Sequence, residues 1–396
     1  MQEQEIKAKL KKDILDILGY CINCRFCLPS CPRFDITAGD ISQGASGITR
    51  ALYYTVKWEE TDKEILNELR DILYSCMTCK NCEIACKNLS TATKLVDAIE
   101  KGRQLLIEEM IGPMPEQKRA LESLERYGNP YGMLPSERKD WMKGLNAPNF
   151  SKEAGAEVLF YVGCTAPHDA AVQNMAKAFV KLLEKAQVRF GILEDEVCCG
   201  NPSLKMGEVS LFENLCEKNL NQFKSLGIKH IVTLSPHCFD TLVNRYPQEV
   251  IQGIKVQHYS QFLADLIEQK RLVFNSRIEK KAAYQDPCYL GRHNDVYDAP
   301  RKVLSSILGA KFIEFPRSRA DSLCCGGGGG RMWADFEAEV ERIANLRVKE
   351  AIEIGVEIIV TACPWCLINI VDAVKSVNVE DKLRVKDFAE LCVEAL

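Results

Sequence analysis

Cys21, Cys24, Cys27 and Cys31 form a C-x2-C-x2-C-x3-C run followed by Pro32. Cys76, Cys79, Cys82 and Cys86 repeat the spacing, with Lys87 in place of the proline. This is the ligand run of a two-cluster ferredoxin, in which each run gives three thiolates to one [4Fe–4S] cluster and its fourth to the other. The expected sets are therefore Cys21, Cys24, Cys27 and Cys86 for one cluster, and Cys76, Cys79, Cys82 and Cys31 for the second. A zinc ribbon needs two C-x2-C pairs and leaves the x3-C positions unexplained. A disulfide framework has no need of one spacing written twice. A chain built on such runs moves electrons.

The other features narrow the class. A length of 396 residues suggests two or three domains, and 46% hydrophobic residues is ample for real cores. A net charge of −4 gives no basic field for nucleic acid. The start, MQEQEIKAKLKKDIL, reads as a charged amphipathic helix and not as a cleavable signal. The motif cysteines among the nineteen are thus expected to be metal ligands in a reducing cytoplasm. The stretch nearest to a membrane span, 356–374, is broken by Glu357, Pro364, Asn369 and Asp372. A membrane part, if needed, is expected from a partner subunit. No G-x-G-x-x-G follows a strand pattern and no flavin site is evident, so the electron donor is expected to dock from outside.

The expected fold is a helical two-cluster ferredoxin domain followed by two tandem α/β repeats with parallel strands. Residues 1–111 form the first part, with helices at 62–74 and 95–110 and a loop at 39–47. Residues 112–152 form a connector with five prolines. Residues 153–275 and 276–396 are an internal repeat. IVTLSPHC ending at Cys238 aligns with IVTACPWC ending at Cys366, Cys198-Cys199-Gly200 with Cys324-Cys325-Gly326, and Cys164 with Cys288. Strands are expected at 158–162, 190–193 and 230–234, then at 282–284, 311–315 and 357–361. Helices are expected at 169–185, 210–226 and 334–354. The repeat cysteines all follow strands, where open α/β sheets place ligands.

The second repeat brings five cysteines: Cys288, Cys324, Cys325, Cys363 and Cys366. Five thiolates exceed what one tetrahedral zinc or one ordinary cubane requires. The bland alternative is a set of packed thiols. The glycine run 326–330 is expected to let backbone N–H groups reach cluster sulfurs. The first repeat has Cys164, Cys198, Cys199 and Cys238, but Ser235 stands where the second has Cys363. It is an altered cluster site, a four-thiolate zinc site or a degenerate scaffold half.

Single residues carry weaker signals. His293, five residues after Cys288, is a candidate proton donor to a leaving thiolate or a plain supporting histidine. His237 and His168 are candidate substitute ligands in the first repeat. Arg25 and Lys80 lie inside the ferredoxin runs, where a cation raises cluster potential, or are ordinary surface charges. Cys216 and Cys392 fall outside every motif and are expected to be packed thiols.

The motifs CINCRFCLPSCP, CMTCKNCEIAC, DPCYLGRHNDVYDAPR, CCGGGGGRMW and TACPWC together resemble the D subunit of heterodisulfide reductase and its relatives, over nearly the whole chain. Those relatives include iron–sulfur subunits of glycolate and lactate dehydrogenases and proteins that take electrons from electron-transferring flavoprotein. The resemblance implies that Cys288, Cys324, Cys325, Cys363 and Cys366 hold a noncubane [4Fe–4S] cluster. It implies an oxidoreductase subunit that passes electrons between two cubanes and that cluster, with thiol–disulfide chemistry at the latter. The competing implication is a pure relay between a flavoprotein and a quinone or cytochrome partner. The intact Cys363 points to the reductase-like branch. DPCYLGRHNDVYDAPR and GGGGGRMW look closer to the flavoprotein-linked relatives, and Ser235 departs from two complete repeats. Partners implied are a flavoprotein or other iron–sulfur subunit and a membrane cytochrome or quinone-reducing subunit. The expected location is cytoplasmic, peripheral on the membrane through such a partner.

Anaerobically purified protein is predicted to hold about 12 Fe per chain, or about 16 if the first repeat is also loaded. A content of about 8 Fe would leave the second repeat without a cluster.

Overall fold

The computed structural model describes residues 2–88, 94–153, 155–336 and 339–396. The N-terminal part is helical. In helix Gln2–Leu18, Leu10, Ile14 and Leu18 recur every fourth residue and bury against helix Leu95–Glu108. Helix Lys63–Tyr74 starts where Asp62 accepts the Glu64 N–H at 2.8 Å, and it buries Leu66, Leu69 and Leu73. The loop expected at 39–47 already holds a short 3-10 turn, Ile41–Gln43, and the start of helix Ala45–Lys57. The proline-rich stretch is not plain connector: Pro115 sits in the first turn of helix Pro115–Tyr127, where its missing N–H is no loss.

Two four-stranded parallel sheets follow. The first comprises β1 (Val158–Tyr161), β2 (Phe190–Gly191), β3 (His230–Thr233) and β4 (Lys255–His258), ordered β2-β1-β3-β4. The second comprises β5 (Ala282–Tyr284), β6 (Phe312–Ile313), β7 (Ile358–Thr361) and β8 (Arg384–Asp387), ordered β6-β5-β7-β8. The common order matches the internal repeat. The sequence pattern shows three strands per copy and does not reveal β4 and β8. Their alternation is weak, with exposed Lys255 and Arg384 at their starts. Of the helix expected at 334–354, residues 337–338 lie outside the described residues, the described residues 334–336 and 339–342 are not helical, and the helix runs from Ile343. Ahead of it, Arg331–Trp333 forms a 3-10 turn whose arginine is tied to neighbouring elements, so local helix propensity is overridden.

The repeats pack reciprocally. Helix Ala170–Lys185 of the first lies on helix Phe388–Glu394 of the second, and helix Tyr259–Glu268 of the first on helix Asp298–Leu308 of the second. Repeat-equivalent residues meet on the dividing line: Tyr259 and Phe388 at 5.8 Å between ring centres, His237 and Trp365 at 4.1 Å. First-with-last contacts in both directions, plus like-with-like contacts between them, define a pseudo-twofold axis inside one chain. A continuous core including Val158, Phe179, Leu263, Tyr284, Leu304 and Val360 spans both sheets.

Tyr259 Oη donates to Asp387 Oδ2 at 2.7 Å across this interface. Burial pushes the Asp387 carboxyl up to about 8, with Glu390 acting in the same sense and the Tyr259 and Ala389 hydrogen bonds opposing. The raised folded value means that the stability from protonation is full below the unfolded value of about 3.9 and is lost as pH rises through about 8. Asp387→Asn keeps an acceptor for Tyr259 without a charge. Its unfolding midpoint relative to wild type is predicted to rise steadily between pH 4 and about 8. Parallel profiles would refute this.

Candidate metal centres

In a sheet ordered β2-β1-β3-β4, the chain leaves β1 to one side and β3 lies on the other, so the carboxyl ends of β1 and β3 open a crevice. Cys164 follows β1, Cys198 and Cys199 follow β2, and Cys238 follows β3. The second sheet repeats this with Cys288 after β5, Cys324 and Cys325 after β6, and Cys363 and Cys366 after β7. All nine are buried.

In the second repeat Cys366 Sγ lies 3.2 Å from Cys325 Sγ. Side-chain hydrogen bonds also link Cys288 with Cys324, Cys324 with Cys325 and Cys363 with Cys366, so the five sequence-selected thiols form one connected group. Hydrogen bonds from Cys324 and Cys366 hold the Cys325 thiol well below its ordinary value. The Gly326 N–H donates to Cys324 Sγ at 3.4 Å, and the Gly327 N–H serves Cys325. A soft, buried, multi-thiolate donor set with amides on its sulfurs fits an iron–sulfur cluster.

The rest of the glycine run has a different use. A Cβ on Gly328 would lie 2.5 Å from Met77 O, and one on Gly329 2.3 Å from Cys76 O. These two glycines let the second ferredoxin run press onto the repeat, a role that the sequence alone does not assign.

The first repeat gathers its four thiols likewise. Cys164 and Cys198 are 3.7 Å apart, and Cys199 takes hydrogen bonds from Cys198 and Cys238 that hold it well below its ordinary value. Ser235 Oγ accepts the His237 N–H at 3.2 Å and caps helix Pro236–Asn244, whereas the equivalent Cys363 makes no capping bond. The serine hydroxyl is therefore engaged by the backbone. The His237 ring packs at a tilt against Tyr289 and Trp365, burial pushes it down to about 4, and its Nδ1 has no partner. Burial also pushes His168 down to about 4.

The two ferredoxin runs share a backbone signature. Asn23 and Arg25 flank Cys24 with φ of 53° and 63°, and Thr78 and Lys80 flank Cys79 with 52° and 62°. Left-handed non-glycine residues are uncommon, and a β-branched threonine there is an outlier. Such backbone turns successive N–H groups into a concavity of the kind that holds Fe–S centres. Burial pushes Cys27 up to about 12, with Cys21, Cys31 and Cys86 acting in the same sense. Burial pushes Cys31 to about 12 as well, and its charged neighbours are Cys79 and Cys76. Cys82 is raised by burial and then by Cys76, Cys79 and Cys31. The second run's thiols thus act most on Cys31, while Cys27 feels Cys31 as well as Cys21 and Cys86. Cys24 is exposed, with exposed Ile22, Arg25 and Phe26 around it. Lys80 is partly exposed and lies 3.9 Å from Glu83. Cys216 and Cys392 are buried in apolar cores.

Most carbonyls of residues 75–79 are met by side chains from elsewhere. Arg331 Nη1 donates to Ser75 O (2.8 Å), Arg103 Nη2 to Cys76 O (2.6 Å), His293 Nε2 to Thr78 O (2.9 Å) and Arg292 Nε to Cys79 O (2.6 Å). Thr78 Oγ1 also meets Tyr289 Oη at 2.7 Å. The result packs Cys79 into one buried cluster with Cys288, Tyr289 and Cys324. His293 stacks on Tyr289 at 4.0 Å, and burial holds its ring well below the ordinary value. Its geometry is that of a clamp on Thr78. Arg103, Arg292 and Tyr289 carry no sequence signal of their own; the available hint is that Arg292 and His168 occupy equivalent places, each four residues after the first repeat cysteine.

A cysteine-rich domain model, CCG, matches residues 158–243 and again 282–371, and a 4Fe-4S dicluster domain model matches residues 17–89. The chain is 35% identical over 335 residues to the probable iron–sulfur-binding oxidoreductase FadF of Bacillus subtilis (strain 168), covering 82% of this chain and 46% of that protein. It is 32% identical to the EtfAB:quinone oxidoreductase of Syntrophomonas wolfei subsp. wolfei, covering 97% of this chain and 59% of that one. It is 31% identical to the D subunit of the dihydromethanophenazine:CoB–CoM heterodisulfide reductase of Methanosarcina mazei, covering 96% and 94%. The chain thus spans about half the length of the first two curated relatives.

Crossed ligation makes a labelling prediction. In anaerobic Cys31→Ser protein, Cys76, Cys79 and Cys82 should become open to maleimide while Cys21, Cys24, Cys27 and Cys86 stay shielded, as read by mass spectrometry. Runs that each close their own cluster would instead open Cys21, Cys24 and Cys27 and leave Cys76, Cys79, Cys82 and Cys86 shielded.

Proposed function

Because the chain belongs to the family of the heterodisulfide reductase D subunit, with a 4Fe-4S dicluster domain ahead of two CCG cysteine-rich repeats, we propose that it is the iron–sulfur subunit of an oxidoreductase complex that passes electrons through two cubanes to or from a noncubane [4Fe–4S] cluster in the second repeat. Cys21, Cys24, Cys27 and Cys86 hold the outer cubane; Cys76, Cys79, Cys82 and Cys31 hold the inner one. Cys288, Cys324, Cys325, Cys363 and Cys366 hold the third centre. When bound, these clusters supply one-electron steps, and an iron with sulfur affinity can accept a thiolate from a disulfide.

One observation carries this reading: Cys79 of the inner run packs in one buried cluster with Cys288 and Cys324 of the second repeat, and Arg292 bridges Cys79 O and Ser322 O. The residues of the chain thereby bring two ligand sets together, while the exposed Cys24 loop leaves the outer set open to a partner. His293 is assigned the supporting role, since its Nε2–H is used by Thr78 O.

A second reading, a relay between a flavoprotein and a quinone or cytochrome partner with no substrate bound here, is favoured by one observation. Ser235 stands where the second repeat has Cys363 and caps its helix, so the first repeat presents no fifth thiolate to match Cys363. In either reading the partner is a flavoprotein or another iron–sulfur subunit. Among the described residues no helix is long and apolar enough to cross a membrane. We assign the chain to the cytoplasmic side, with any membrane contact made through a partner.

Cys363→Ser is predicted to abolish the characteristic electron paramagnetic resonance signal of one centre and leave the cubane pair intact, because serine is a harder, more basic ligand. Candidate thiols should alter the oxidised wild-type signal under the reductase reading. If no thiol does so while a flavoprotein donor reduces every cluster, the relay reading replaces it.

A further inference from the structure

Buried cations in this chain have carboxylate partners, with two exceptions among the described residues. Arg33 and Arg331 share Glu339, Arg138 pairs with Glu196, Arg301 with Asp286, Arg347 with Glu350, and Lys205 with Glu100. Arg103 and Arg292 have only carbonyl acceptors. Arg103 is saturated: its three nitrogens donate to Leu73 O, Lys205 O, Gly329 O and Cys76 O. Arg292 is not. Its Nε donates to Cys79 O at 2.6 Å, and its Nη1 to Ala320 O at 3.1 Å and Ser322 O at 2.7 Å. Its buried Nη2 has no partner.

A buried guanidinium with an unused donor and no carboxylate is costly unless another anion balances it. The groups that act most on Arg292 as anions are Cys79, Cys288 and Cys324, in that order. One belongs to the inner ferredoxin run and two to the second repeat. A cubane core carries fewer positive charges than its four thiolates carry negative ones, so a loaded centre is the missing anion. The first repeat has His168 at the equivalent position, a ring that burial keeps neutral.

We propose that Arg292 is a positioning residue and shared counter-ion, fixed between the inner ferredoxin centre and the second-repeat centre so that one buried charge serves both. The inference rests on the cluster assignments proposed above. Arg292 holds the inner run in place through Cys79 O, and its charge favours an added electron on either side of the junction, since interactions of this kind are weakly screened in a buried site. One electron leaves one centre and arrives at the other, and the cation stays beside both states. The first repeat, without a charged equivalent, has no such support.

The test is an anaerobic redox titration followed by electron paramagnetic resonance, with iron content measured on every sample. Arg292→Gln is expected to keep its iron and to lower the reduction equilibria of the inner cubane and the second-repeat centre by at least about tenfold each, about 59 mV for a one-electron couple. The outer cubane should scarcely move, and Arg292→Lys should stay near wild type. Arg292→Gln with full iron and only one potential shifted, or neither, overturns the proposal while leaving the cluster assignments standing. Should Arg292→Gln lose iron, Arg292→Lys decides: full iron with wild-type potentials supports the charge role, and loss of iron or shifted potentials overturns it. Wild-type protein without iron in the second repeat refutes the assignments themselves, and the proposal with them, before any variant is read.

Discussion

The structure depends on how one short piece of backbone, residues 75–79, has its carbonyls satisfied. Its left-handed residue Thr78, with Lys80 just beyond, shapes a cluster-binding loop and so prevents it from joining a sheet. Its oxygens must find donors elsewhere, and they find Arg331, Arg103, His293 and Arg292. Three of these four come from the second repeat, so satisfying the loop also docks the ferredoxin domain. Gly328 and Gly329 complete the fit by leaving out side chains that would collide with Met77 and Cys76. The same contacts that pair this backbone also place Cys79 in one buried cluster with Cys288 and Cys324.

The repeats show how a duplicated fold becomes asymmetric without losing its architecture. Their strand orders agree, and Tyr259 with Phe388 and His237 with Trp365 mark the axis between them. The departures are concentrated at the cysteine-bearing ends of the sheets. Ser235 replaces a thiol and turns to capping, His168 replaces a cation, and His237 fills an aromatic gap as a neutral ring. The docked ferredoxin loop lies on the fuller of the two sites. The buried Tyr259–Asp387 hydrogen bond also ties the repeats together.

Much of this was legible in the sequence. The cysteine spacings identified both ferredoxin runs, the internal alignment located both repeats, and strands followed by cysteines placed the thiols at the crevice. The losses have physical reasons. β4 and β8 are edge strands with charged starts and little apolar alternation. The described residues before Ile343 in the helix expected from 334 are not helical. The roles of Arg103, Arg292 and the later glycines depend on contacts between residues more than 200 apart in some cases, such as Arg292 with Cys79, and no local pattern carries such information.

The central claim is that the inner ferredoxin centre and the second-repeat centre are neighbours. The direct measurement is the magnetic interaction between them in protein reduced until both are paramagnetic. Adjacent centres predict broadened or split resonances that collapse to independent signals when only one of the two is reduced. Signals that simply add, with no interaction at any level of reduction, would contradict the account.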